Sequence, residues 1–329
     1  MRQLKICKAF GDTMRDSARQ KTPLNLSAGS QGGYLVPPEM QLRIDERLHE
    51  YSVFHKLAWQ VEMHSKECLV PRFDLTAAHA TGDSPLFGGL GLRWTSEGVT
   101  IAEVEPSFSG HNLVARDLEA TVFVSNQMVA DGGATLGDYL TWGFAAAVEF
   151  AVERGCYQGN GAAQPLGIIN APSTFLVARS SAGHVTLADL SSMVGHLITP
   201  AFKRAVWVAS PSAVVDILQI AGYTINNWAT KDIGDTGVLA GVAYGRPMFV
   251  SENLPVLGTK GDVVLFDPSL YALGTRHYEV AVSRDAPGAF QKNQTVFRLW
   301  WRGDGVPLAK NTITLADNTT VVAVAVALD

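Results

Sequence analysis

The stretch Gly155-Cys156-Tyr157-Gln158-Gly159-Asn160-Gly161, followed by Gln164-Pro165-Leu166-Gly167, decides how this 329-residue chain is read. It closes a helix pattern that the spacing predicts from about Thr135 to Tyr157. Leu136, Leu140, Phe144, Val148, Ala151 and Val152 make that pattern nearly all apolar. Asp138, Thr141, Glu149 and Glu153 form one narrow polar stripe, with Ala145 in its gap. At about 1.5 Å per residue the helix would span roughly 35 Å, and one so apolar must be packed on most sides. The glycines that follow read as a helix-ending cap and turn.

A second glycine run, Gly32-Gly33-Tyr34-Leu35-Val36-Pro37-Pro38, lies upstream. Before it, residues 1–31 read as an arm with helical potential near Leu4 to Phe10. The polar stretch Ser27 to Gly33 serves as its hinge, because glycine reaches backbone angles that other residues resist. Pro37-Pro38 suits the first turn of a helix, and Met40, Ile44, Leu48 and Tyr51 give that helix one apolar face.

Between these landmarks, Trp59 to Phe73 and Arg93 to Asn112 are strand-like and flank a turn-rich tip from Ala80 to Gly91. A long two-stranded extension is expected. An isolated hairpin is marginal in water. Leu86, Phe87, Leu90 and Trp94 near its tip cannot bury themselves there, so a neighbouring copy of the chain is the expected cover; the alternative is a hairpin that folds back on its own domain. His111 to Val124 reads as a strand or strand pair, and Val124-Ser125-Asn126 leads into a short helix that Gly132-Gly133 breaks.

Beyond the central turn, Thr186 and Asp189 are spaced as a capping box for a helix over Leu187 to Ile198. Ala205 to Ala209 is a buried strand, after which Ser210 caps a helix and Pro211 opens it. Residues 222–237 look like a polar loop, and strands follow over Val238 to Pro255 and Gly261 to Asp267. In Val296 to Arg302 the residues alternate, with Arg298, Trp300 and Arg302 on one face and Phe297, Leu299 and Trp301 on the other. Arg302-Gly303-Asp304-Gly305 reads as a hairpin-type turn, and Thr320 to Leu328 as a closing strand.

Composition narrows the function. Apolar residues are 47% and charged residues 17%, enough to build a core and consistent with apolar surface covered by other subunits. The net charge is −5, yet Arg2, Lys5, Lys8, Arg15, Arg19 and Lys21 face only Asp12 and Asp16 in the first 22 residues. A basic arm on an acidic body suits nucleic acid or an acidic neighbour, or is simply a solvated end. Cys7, Cys68 and Cys156 are too sparse for a disulfide framework or zinc site. No signal peptide is visible, a reducing cytoplasm is the expected place of synthesis, and Trp142 to Val152 is too short and too charged to span a bilayer. Cys156 lacks a His or Asp at diagnostic spacing, and the Gly155 to Gly161 turn lacks the strand and Gly-Lys-Ser/Thr of a phosphate loop. His184 and His277 read as structural, and Arg284-Asp285 and Arg302-Asp304 as ion pairs at a seam or surface. No catalytic residue, cofactor or metal is expected.

The order of these landmarks, over about residues 31–315, resembles the major capsid proteins of tailed bacteriophages. The resemblance implies an α+β fold of the Hong Kong 97 type. It divides the chain into an N-terminal arm (1–33), a peripheral domain (34–56, 113–167 with its spine helix, and 276–315), an extended loop (57–112) and an axial domain (168–275, rejoined by the strand in 316–329). It implies self-assembly into hexamers and pentamers of an icosahedral virion head around double-stranded DNA, touched weakly through Arg2, Lys5, Lys8, Arg15 and Arg19. Leu86, Phe87, Leu90, Trp94, Arg298 and Arg302 become subunit-interface candidates; portal and scaffolding proteins become partners, with no membrane. Two departures stand out. Some relatives carry a helical scaffolding segment of about a hundred residues before the arm, whereas only some thirty residues precede Gly32 here. Some relatives also cross-link a loop lysine to a neighbour's asparagine, but Ala77 to Trp94 holds no lysine and Lys66 lies at the loop's base, so no cross-link is expected. An encapsulin-like nanocompartment shell and a soluble hydrolase with a hairpin lid are the alternatives.

Overall fold

The computed structural model describes residues 34–35, 52–77, 79, 83–92, 94–98, 103, 105–220 and 241–329. Its elements in chain order are β1 (Tyr34–Leu35), α1 (Val53–Leu57), β2 (Trp59–Glu62), β3 (Glu67–Phe73), β4 (Phe108–Val114), β5 (Arg116–Ser125) and α2 (Asn126–Gln158). Then come β6 (Thr174–Val177), α3 (Leu187–Gly195), β7 (Val206–Ala209), α4 (Pro211–Gln219), β8 (Gly241–Ala243), β9 (Arg246–Val250) and β10 (Val263–Phe266). The chain ends with β11 (Tyr271–Ser283), β12 (Gln294–Pro307), β13 (Ile313–Thr314), β14 (Val321–Val322) and β15 (Ala325–Leu328). The anticipated helices near residues 4–10 and 38–51 and the loop at 222–237 lie outside the described residues.

Two units emerge, and β11 and β12 contribute to both. The first holds β1, β5, α2 as far as Phe150, and residues 276–303. Its strands run in the order β1-β11-β12-β5, with β5 antiparallel to β12 from Ser125 opposite Gln294 to Arg116 opposite Gly303. The expected alternation in β12 holds, since Phe297, Leu299 and Trp301 are buried while Arg298 is exposed.

The second unit is built on a six-stranded sheet in the order β6-β15-β10-β7-β9-β8. Its central strands β7, β10 and β15 are buried along their whole length, as expected of strands covered on both faces. Trp207, Leu265 and Val326 of the sheet share a core with Leu190 and Met193 of α3 and Ile217 of α4. Local chemistry sets both helices. The Thr186 hydroxyl accepts from the Asp189 amide while the Asp189 carboxylate accepts from the Thr186 amide, and the Ser210 hydroxyl accepts from the Ala213 amide with Pro211 opening the turn.

Three readings need correction. α2 is one helix of 33 residues that passes through Gly132-Gly133 instead of breaking there. The Ser125 hydroxyl accepts from the Met128 amide at its start, and buried Val129 and Phe144 on either side of the glycines anchor it, which outweighs a glycine cost of about 1 kcal/mol per residue. Arg302 to Gly305 is not a turn, because β12 runs straight on to Pro307. Gly305 serves close approach instead: a Cβ there would lie 2.5 Å from the Tyr271 hydroxyl. Of the strand expected from Arg93, the described residues show strand only from Phe108.

Candidate functional site, an apolar ribbon and its loop

β3 and β4 form a separate two-stranded ribbon, paired from Glu67 opposite Val114 to Phe73 opposite Phe108. Successive side chains point to opposite faces, and the two faces meet different fates. Val70 and Leu113 point inward and pack with Met63, Ala272 and Leu308. Leu69 (65% exposed), Phe73 and Phe108 (64%) point outward. The Phe73 and Phe108 rings stack at 4.9 Å. Gly110 lets Leu69 lie flat across the ribbon, because a Cβ there would come within 2.8 Å of the Leu69 side chain.

The loop beyond the ribbon is braced rather than free. Ser84 caps a short helical turn at Pro85–Phe87, and Gly88 ends it with a φ of 69°. The Ser107 amide donates to the Gly88 carbonyl at 2.9 Å, and His79 Nε2 lies 3.1 Å from the Leu315 carbonyl. Here the structure corrects one expectation. Leu86 is partly buried against the core of its own unit, the cluster that includes Leu75, because the short helical turn points it at the body. Phe87 (53%) and Leu90 (38%) stay exposed, and Trp94 is fully exposed. Leu92, overlooked in the sequence, is exposed too. Outward Leu69, Phe73 and Phe108 were also missed; strand alternation shows that two faces exist but not which one meets the core.

Of the two arginine candidates on β12, Arg302 is committed within its own sheet. It pairs with Asp117 at 2.5 Å and lies over the Trp300 ring at 5.4 Å, while Trp300 Nε1 donates to Asp117 at 3.0 Å. Arg298 is exposed. Arg2, Lys5, Lys8, Arg15 and Arg19 lie outside the described residues.

The glycine turn after α2 is consumed by its own hydrogen bonds. The Gly159 amide donates to Gly155, Gly161 to Pro165, Leu166 to Gly305 and Gly167 to Gly159, and the Ala162 amide donates to the Asn160 side chain. These amides face the chain's own oxygens, so the turn is a clamp and not a phosphate cradle. Cys156 beside it is fully buried, and burial pushes its thiol up to about 12, which removes the thiolate a nucleophile needs. Among the described residues no cluster of His, Cys, Asp and Glu could hold a metal ion, and no helix is long and apolar enough to cross a membrane.

The polar stripe of α2 turns inward at Glu149 and Glu153, both of which are buried. Glu153 Oε1 accepts from the Val53 amide and the Tyr157 hydroxyl, each at 3.4 Å. Burial nonetheless raises its pKa from 4.5 to about 7, against the opposing hydrogen bonds from Val53, Tyr157 and Asn253. The folded chain therefore keeps a proton that the unfolded chain loses. The stabilisation is complete below pH 4.5 and is lost as pH rises to about 7, a swing of roughly 3 kcal/mol. Glu153→Gln keeps the acceptor oxygen and removes the titration. Denaturant unfolding at pH 5 and pH 8 should show the variant more stable than the parent at the higher pH; an unchanged pH slope would exclude Glu153 as its source.

The comparisons with known proteins come to the same place as the fold. The phage capsid family model matches residues 32–318. Among solved structures, the capsid of an empty GTA particle computed with C5 symmetry is 16% identical with a TM-score of 0.61, covering 97% of this chain and 98% of that one. The structure named for Gordonia phage Cozz is 14% identical with a TM-score of 0.59, covering 95% and 93% of the two chains. That named for Mycobacterium phage Bobi is 15% identical with a TM-score of 0.57, covering 95% and 96%. At such identities these are likenesses of fold. No curated protein sequence matches the chain. The mixed helix-and-sheet architecture is thus that of phage capsid subunits. The chain belongs to the phage capsid family, and it is a structural protein of the virion shell. The nanocompartment and hydrolase alternatives are not favoured.

Proposed function

We propose that copies of this chain tile into hexamers and pentamers of an icosahedral head, made in the host cytoplasm and closed around double-stranded DNA. The observation that carries this reading is the outward face of the ribbon with the loop beyond it. Leu69, Phe73, Phe87, Leu90, Trp94 and Phe108 are all exposed, with Phe73 and Phe108 stacked on each other, and large apolar side chains gathered on one exposed element mark a partner site. In the Hong Kong 97 arrangement the ribbon and loop are the extended loop (57–112), α2 the spine helix of the peripheral domain (34–56, 113–167, 276–315), and the six-stranded sheet the axial domain (168–275, with 316–329). Phe87, Leu90, Trp94 and Arg298 then meet neighbouring copies, while Leu86 and Arg302 support the surfaces from within. The basic arm (1–33) touches DNA without sequence preference through its lysines and arginines. Scaffolding and portal proteins assist assembly, and the role requires no catalysis.

Repetition gives modest contacts their strength, because each added copy engages several neighbours at once. Electron microscopy of the purified protein is the direct test. Closed shells tens of nanometres wide are expected; discrete small oligomers across a range of salt concentrations would refute tiling.

A further inference from the structure

Beneath the distal half of the ribbon lies a group of cations with too few anions. Arg72 sits half-buried on β3, opposite Ser109. The charges it feels within its own chain are Asp267 and Arg204, and Asp267 is already spent. One carboxylate oxygen of Asp267 accepts twice from Arg204, at 3.0 and 2.8 Å, and the other accepts from the amide and hydroxyl of Ser269. Nearby Asp74 accepts from Thr76. Lys310 and buried His111 complete the group, and His111 reports its sign: burial first, then Lys310 and Arg72, hold the imidazole below its usual pKa against the opposing pull of Asp74. Burial likewise lowers Arg72. A half-buried guanidinium is a strong bidentate donor to an oxyanion, and among the described residues this one forms no ion pair with a carboxylate.

We propose that this seam receives carboxylates from the loop of a second copy, the acidic limb that carries Glu97, Glu103 and Glu105. The inference rests on the shell reading above. All three glutamates are exposed, and residues 95–107 contain no lysine or arginine. None of the three is among the charges that act on Arg72 or His111 within the same chain, which leaves them open to a different copy. Each copy offers one seam and one limb. Such a contact is head-to-tail, and it closes into a ring when the rotation between copies permits.

The test uses the full-length chain. Arg72→Glu should raise the concentration needed for assembly at least about tenfold, as loss of an interfacial charge pair does, while the melting temperature of the unassembled protein holds. Combining it with Glu103→Lys and Glu105→Lys should restore assembly. Normal assembly of Arg72→Glu, or failure of the reversed charges to rescue, would each overturn the contact while leaving the shell reading intact. Normal assembly of the glutamate variants together with a rise in melting temperature on adding inorganic phosphate would assign the seam to phosphate, against this proposal. If the unsubstituted chain forms no shells, the shell reading fails and the contact fails with it.

Discussion

Gly167→Ala is expected to leave little or no folded protein. A Cβ at this position would lie 2.4 Å from the Gly159 nitrogen, 2.6 Å from the Tyr157 carbonyl oxygen and 2.7 Å from the Tyr157 carbonyl carbon. All three are backbone atoms, so no side chain can swing aside. The backbone of Gly167 itself is ordinary, with a φ of −72°, and the fault is purely one of space. Relief requires the turn to part, which removes the Gly167-to-Gly159 hydrogen bond and the bond from the Asn170 amide group to the Gln158 carbonyl. It also pulls Leu166 from the Tyr271 hydroxyl, which donates to its carbonyl at 3.0 Å. Behind the turn lies a nest of buried rings, with Phe54 4.9 Å from both Tyr157 and Tyr271. The combined loss is about 4 kcal/mol or more, comparable with the whole stability of many domains. Gly143→Ala is the control. It sits in α2 with nothing within 4 Å of the added carbon and should stabilise by roughly 0.5–1 kcal/mol. Soluble yield and thermal melting by circular dichroism decide the matter. A Gly167→Ala protein that melts within a degree or two of the parent would show that the clamp opens at no cost.

That turn was legible in the sequence because its signals are local, and so were the caps at Thr186 and Ser210. The caps join residues three positions apart, and the glycines that form the turn lie within one short run of sequence. What the sequence left unread depends on partners far away. Gly132-Gly133 is a helix breaker by local propensity, and only the anchored residues on either side carry α2 through it. Arg302 to Gly305 has the composition of a turn, yet Gly305 is there to admit the ring of Tyr271. Glu149 and Glu153 look like a water-facing stripe until the fold closes over them. The same holds for the candidate site. Phe87, Leu90 and Trp94 could be picked out because large apolar residues in a turn-rich stretch have no local place to go. Leu86 belongs to that set by composition and leaves it by packing. Leu69, Phe73 and Phe108 escaped notice because the choice of face is made by Ala272 and Leu308, some two hundred residues away along the chain.

The triple variant Phe87→Ser, Leu90→Ser, Trp94→Ser is expected to lose shell formation while keeping the stability of the single chain. Exposed side chains contribute little to folding, and substitutions at such positions usually fall within about 0.5 kcal/mol. Their value appears only against a partner. Full burial of a phenylalanine or leucine is worth roughly 1.5–3 kcal/mol, and tryptophan brings still more area. Even after the costs of ordering and imperfect fit, a deficit of about 3 kcal/mol per contact weakens each contact more than a hundredfold. A closed shell multiplies that deficit over every copy. Leu86→Ser should behave in the opposite way. Its side chain packs on the core of its own unit, so the damage should appear first as a lower melting temperature, with assembly failing in proportion to the unfolded fraction. Sedimentation velocity read alongside thermal melting separates the two patterns. If the triple variant forms shells at the parent's concentration, the loop is surface decoration and the force that joins the copies must come from elsewhere on the molecule.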